Sequence, residues 1–141
     1  MELNTKYHGV KEYEEKDIIY FKKGLPGFEN LSRYILFTVE ENEIFSILQS
    51  IDDSEIGLVV ISPFSVLKDY EFKLDQEKLQ QLKVSSPEEV LVLNTVTLGS
   101  NAENITTNLK APIIINIKER LGEQIILDND KYRIKHPIFK E

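Results

Sequence analysis

The chain has 141 residues, 24 acidic against 17 basic side chains, a formal net charge of −7 and no cysteine. Without cysteine there is no disulfide framework, thiolate zinc site or cysteine nucleophile, and the negative balance opposes the close approach to phosphate backbones that nucleic-acid binding requires. The length suits a single domain over residues 1–141, and the polar N-terminus and lack of any apolar run near about 18 residues lead us to expect a soluble, cytoplasmic chain with no membrane span.

The pattern along the chain predicts about eight or nine short strands rich in β-branched and aromatic residues. The first covers residues 3–9, where Leu3, Thr5 and Tyr7 alternate with polar neighbours, and the second covers Asp17 to Phe21. Gly24-Leu25-Pro26-Gly27 forces a turn, since two glycines and a proline restrict the backbone there. Strands follow at 33–40, 44–50 and 57–62, the last ended by Pro63, which has no N–H to give a ladder. Residues 70–74 (YEFKL) alternate as a further strand, and Asp75 is an N-cap for a helix over 76–84 that carries apolar Leu79 and Leu82. Ser86-Pro87-Glu88-Glu89 spells a capping box with proline at the first helical position, yet residues 90–98 (VLVLNTVTL) are strongly β, so one helical turn should lead into a strand. Strands are then expected at 105–109, 113–117 and 124–127, with Gly122 between the last two and Asp128-Asn129-Asp130 turning into a closing hairpin at 132–134. From Lys135 the tail should be loose. Many short strands, one short helix and no βα alternation predict a mostly β fold, a small antiparallel barrel-like or sandwich domain.

The residues carry little chemistry. His8 and His136 are the only histidines, and neither has a second histidine or a carboxylate at ligand spacing, so we expect no metal site and no general base from them. No glycine-rich phosphate loop or nucleophile elbow occurs, and we expect neither a cofactor nor an enzymatic activity. Asp52-Asp53-Ser54-Glu55 puts three carboxylates in four residues. They could hold a hard cation or serve as an acid–base pair in a small ligand- or metal-binding barrel, or they could form a solvated hairpin turn. Glu12 to Glu15 and Glu40 to Glu43 are further acidic loops, while Lys131, Arg133, Lys135 and Lys140 form a local basic end. Beside the glycine turn, Phe28 is either a partner anchor or a plug for the barrel end.

These landmarks in their order resemble the FliW family. The resemblance rests on Gly24-Leu25-Pro26-Gly27-Phe28-Glu29, on 48–53 (LQSIDD) leading to 59–63 (VVISP), on 108–116 (NLKAPIIIN), and on 122–127 (GEQIIL) followed by Tyr132-Arg133. It spans nearly the whole chain. It implies a flagellar assembly factor that binds cytoplasmic flagellin and, when free, binds the RNA-binding regulator CsrA, relieving repression of flagellin translation by an allosteric route. Flagellin would then offer a helical terminal segment to an apolar groove with an acidic rim. The expected protein-binding residues are Pro26 and Phe28, Asp52, Asp53 and Glu55, and Phe64, Asp69, Tyr70 and Glu71, where exposed aromatics alternate with carboxylates. Gly24, Gly27, Pro112 and Asn116 are expected to serve the architecture.

Overall fold

The computed structural model describes residues 1–39, 42–101 and 104–139, without the side chains of residues 42 and 43. The acidic stretch at 40–43, part of the loop at 99–104, and Lys140 therefore lie wholly or partly outside the described residues. Strands β1 (Glu2–Thr5) and β2 (Gly9–Glu12) form a separate hairpin; β3 (Ile19–Tyr20), β4 (Arg33–Val39), β5 (Asn42–Ser50) and β6 (Gly57–Ile61) follow. Then come helix α1 (Gln76–Gln81), β7 (Val90–Thr97), β8 (Thr106–Thr107), β9 (Ile113–Asn116), β10 (Leu121–Gln124) and β11 (His136–Pro137).

Seven of these strands close a ring. The order is β7, β6, β5, β4, β3, β10, β9, and β9 returns to β7 with Leu91 opposite Ile115 and Leu93 opposite Ile113. A closed ring of seven strands cannot alternate direction all the way round. One join must be parallel, and it is β3 to β10, where Tyr20 faces Leu121; the other six are antiparallel. Beyond the ring, β8 continues alongside the end of β7, and β11 pairs with β8.

The period-2 pattern fills the barrel. Tyr34, Leu48, Val60, Leu93, Ile113 and Ile115 point inward with Ile19, Phe21, Leu25 and Leu31. Gly122 lies within β10, and a Cβ there would sit 2.5 Å from the Phe21 ring, which is fully buried; only hydrogen leaves room. A second cluster of Tyr70, Leu109, Leu127 and Tyr132, with Phe72, Val92 and Ile125 against it, forms a layer separate from the barrel core.

Several expected elements differ. The strand at 3–9 is a hairpin instead, because Thr5 Oγ1 donates to Gly9 O and accepts from His8 N, closing a turn that Gly9 completes at φ +72°. Residues 70–74 pair with no strand. The helix ends at Gln81, because Lys83 takes a left-handed φ of 55°. The strand at 124–127 lies three residues earlier, as β10, and the chain turns before it at Arg120, whose φ is 57°, and not at Gly122. No hairpin closes at 132–134: Tyr132 is buried in the second cluster, and Leu109 N bonds to Arg133 O. The tail is tied down as far as Phe139, through β11 and the Phe139 ring edge-on to Phe45 at 6.4 Å. Among the described residues no helix is long and apolar enough to cross a membrane.

Candidate functional site

Among the described residues an apolar groove of about 680 Å³ has its lining in β7, the segment at 70–74, α1 and the turn at 84–87. Val90, Leu91 and Val92 come from β7; Phe72, Leu74, Leu79 and Val84 add further apolar surface, with Phe64 and Tyr70 at one end. Its volume falls in the range of ligand pockets, and its lining is mainly hydrophobic.

Local bonds hold each wall. Asp75 Oδ1 accepts Lys78 N at 2.8 Å and starts α1. The buried Asn116 amide then fixes the helix end to the barrel, donating to Leu82 O at 2.8 Å and Lys83 O at 3.1 Å, while its Oδ1 accepts Lys118 N and Glu119 N. Lys78 and Lys23 both reach Glu123 of β10. At the far wall the Ser86/Glu89 box forms as its sequence spells, and the amides of Ser85 and Ser86 hold the Glu89 carboxyl below its ordinary value, Ser85 foremost. Tyr70 and Tyr132 support the segment at 70–74. Tyr70 Oη donates to Leu109 O at 2.7 Å, and burial pushes its pKa up to about 12. Tyr132 Oη accepts Glu71 N at 2.9 Å and donates to Glu71 O at 3.1 Å.

Of the residues expected to bind partners, Phe64 is half exposed at the groove, Asp69 and Glu71 are exposed, and Glu71 lines the groove. Tyr70 is 3% exposed, so it is not a surface aromatic: its ring packs on Tyr132 at 4.6 Å. Phe28 is half buried against the barrel core, the plug alternative, and Pro26 beside it is exposed.

The acidic loop is a separate feature, organised from below by Gln49, whose buried amide donates to Ser50 O at 3.1 Å and to Asp53 O and Ser54 O at longer range. Ser50 Oγ accepts Asp52 N and Asp53 N. Each carboxylate has its own partner: Asp52 takes Arg33 in a two-point contact, Glu55 takes Lys6 at 2.6 Å, and Asp53 Oδ1 accepts Glu55 N. The Arg33 bond lowers the Asp52 pKa, and the Lys6 bond lowers that of Glu55. Among the described residues no group of three or more His, Asp or Glu side chains gathers as a metal site would need. The arrangement is the hairpin-turn alternative. Gly24 is architectural as expected, with φ +66° and a would-be Cβ 2.6 Å from the Glu29 backbone.

Phe64, Tyr70 and Glu71 are the only expected contact residues in the groove lining; the rest of the lining was not singled out for binding in the sequence. Phe72 and Leu74 belonged to a predicted strand and Leu79 to a predicted helix, so the alternation at 70–74 and the apolar helix position were the available signals.

Comparison with known proteins decides the family. The family model described as FliW protein matches residues 2–138. The chain belongs to the FliW family. It is 62% identical over 141 residues to the flagellar assembly factor FliW of Clostridium tetani, covering all of this chain and 97% of that one. It is 58% identical to the FliW of Clostridium botulinum strain Okra, covering all of this chain and 99% of the relative. A crystal structure of the flagellar assembly factor FliW superposes with a TM-score of 0.93 at 40% identity, over all of this chain and 99% of the other. A mostly β barrel with one short helix is thus the fold of this FliW chain, and flagellum biogenesis is its setting.

Proposed function

We propose that this FliW-family chain acts in the cytoplasm, as one domain, by binding flagellin before export. When free of flagellin it binds CsrA and allosterically relieves repression of flagellin translation. The observation that carries the reading is the apolar groove beside the exposed carboxylates of Asp69 and Glu71, in a chain of net charge −7. Apolar side chains of a partner would fill the groove, and the acidic surface favours encounter with a basic regulator that presents itself to RNA. Phe64 and Glu71 contribute from the groove and Asp69 from beside it, with the buried Tyr70 supporting them from behind. Asp52, Asp53 and Glu55 on the acidic loop, and Pro26 and Phe28 at the glycine turn, are the remaining contact residues. The output is a binding equilibrium, which asks for no catalytic group, cofactor or direct contact with nucleic acid. Isothermal titration with purified flagellin monomer and with purified CsrA tests it: heat is expected with each, and its absence with both would overturn the reading.

A further inference from the structure

Residues 71–74 have the burial alternation of a strand, with Glu71 and Lys73 exposed and Phe72 and Leu74 half buried, yet no strand pairs with them. Glu71 is satisfied in an unusual way. Its N–H and C=O both meet the single hydroxyl of Tyr132, which occupies the place where a neighbouring strand's backbone would be. The next three residues lack any such substitute: among the described residues, the N–H and C=O groups of Phe72, Lys73 and Leu74 make no hydrogen bond to the protein. All three also line the apolar groove. A sheet edge with unpaired backbone groups is a template for another strand, and side-chain pockets beside such an edge select every second residue of the incoming chain.

We propose that the 71–74 segment is a strand-addition site, which pairs with an extended segment of a partner protein whose alternate apolar side chains enter the groove. This rests on the binding reading above and names how the groove holds its occupant. Along a strand, alternate residues direct their backbone groups to opposite sides, so the side taken by Tyr132 at Glu71 is shared by Lys73 and the opposite side belongs to Phe72 and Leu74. The charge nearby selects further. Asp69, Glu71, Asp75 and Glu77 are exposed against Lys68 and Lys73, which favours lysine or arginine at the incoming strand's outward positions. An extended segment suits this wall better than a helix, whose backbone bonds are internal and would leave these groups unanswered.

The test replaces single amides by esters, keeping every side chain, in the full-length protein. Hydroxy-acid analogues at Phe72 or Leu74 each remove one N–H on the open side; the analogue at Lys73 removes the N–H on the Tyr132 side. Titration with whichever of purified flagellin or CsrA binds the parent protein should show about three- to tenfold weaker binding for the first two, as expected for one net hydrogen bond, and a smaller loss for the third, which keeps both open-side N–H groups and only weakens the Phe72 carbonyl as an acceptor. Amide exchange by NMR is the second readout, with protection of Phe72 and Leu74 appearing on binding. Binding at parent affinity by all three esters, with groove side chains perturbed and no new amide protection, would mean a helix in the groove and overturn the proposal. Binding that perturbs neither the groove nor residues 71–74 would overturn it too, while leaving the flagellin and CsrA reading intact. Failure of the unmodified protein to bind either partner would refute that reading and, with it, this proposal.

Discussion

Asn116 joins the barrel to the groove's helical wall, and its removal gives the most exacting test of that link. In Asn116→Ala the Leu82 carbonyl, on a residue only 3% exposed, loses the amide at 2.8 Å, and Lys83 O loses a second bond. The N–H groups of Lys118 and Glu119, on exposed residues, lose an acceptor that water replaces in part. A stranded buried carbonyl costs about 1–3 kcal/mol and each replaceable bond about 0.5 kcal/mol, so the expected loss is about 3 kcal/mol. For a chain of this length that lowers Tm by about 10 °C. Urea unfolding followed by circular dichroism should show a lower midpoint with an unchanged slope. Asn116→Asp keeps the acceptor but turns a carboxylate oxygen toward two carbonyls, so it should be at least as damaging at pH 7 and recover in part when acid protonates it. An Asn116→Ala protein within about 0.5 kcal/mol of the parent would refute the claim that this amide secures α1.

Three further outcomes are expected. Gly122→Ala drives a methyl into the fully buried Phe21 ring and should cost about 1–3 kcal/mol in the same urea assay. Asp52, held below its ordinary value by Arg33, contributes stability that is present above about pH 4 and lost as pH falls through its lower folded value. Because the pair is well exposed, that contribution is under about 1 kcal/mol, and Asp52→Asn should flatten the acid side of the stability curve slightly while leaving calcium or magnesium without effect on Tm. Phe64→Ala should change stability by less than about 1 kcal/mol, since the ring is half exposed, yet weaken partner binding measurably by calorimetry.

What could be read beforehand was local. The Asp75 cap and the Ser86/Glu89 box depend on residues three apart, and both form as spelled. The strands at 33–40, 44–50, 57–62 and 90–98 showed in their β-branched and aromatic runs, but their inward face did not, since neighbours such as Tyr34 and Ile35 or Val60 and Ile61 are both buried. Features set by distant partners were not legible. Leu82 and Lys83 look helical until Asn116, over thirty residues away, is seen to capture their carbonyls. The alternation at 70–74 is genuine, but a strand needs a neighbour, and the place beside Glu71 is taken by a side-chain hydroxyl. Tyr70 looks like a surface aromatic because it stands among charges; only the cluster it forms with Leu109, Leu127 and Tyr132 puts it inside. The three carboxylates at 52–55 left a shared site and a solvated turn both open, and only Arg33 and Lys6, remote in sequence, are seen to draw two of them apart. The groove itself assembles from β7, α1 and two connecting segments, so no contiguous motif could announce it.

The central claim is a choice between two partners. Calorimetric titration of flagellin monomer into this protein already saturated with CsrA measures that choice directly. The account predicts that the apparent affinity for flagellin falls as CsrA is raised and that CsrA is displaced. Simultaneous binding of both, each at the affinity it shows alone, would contradict it.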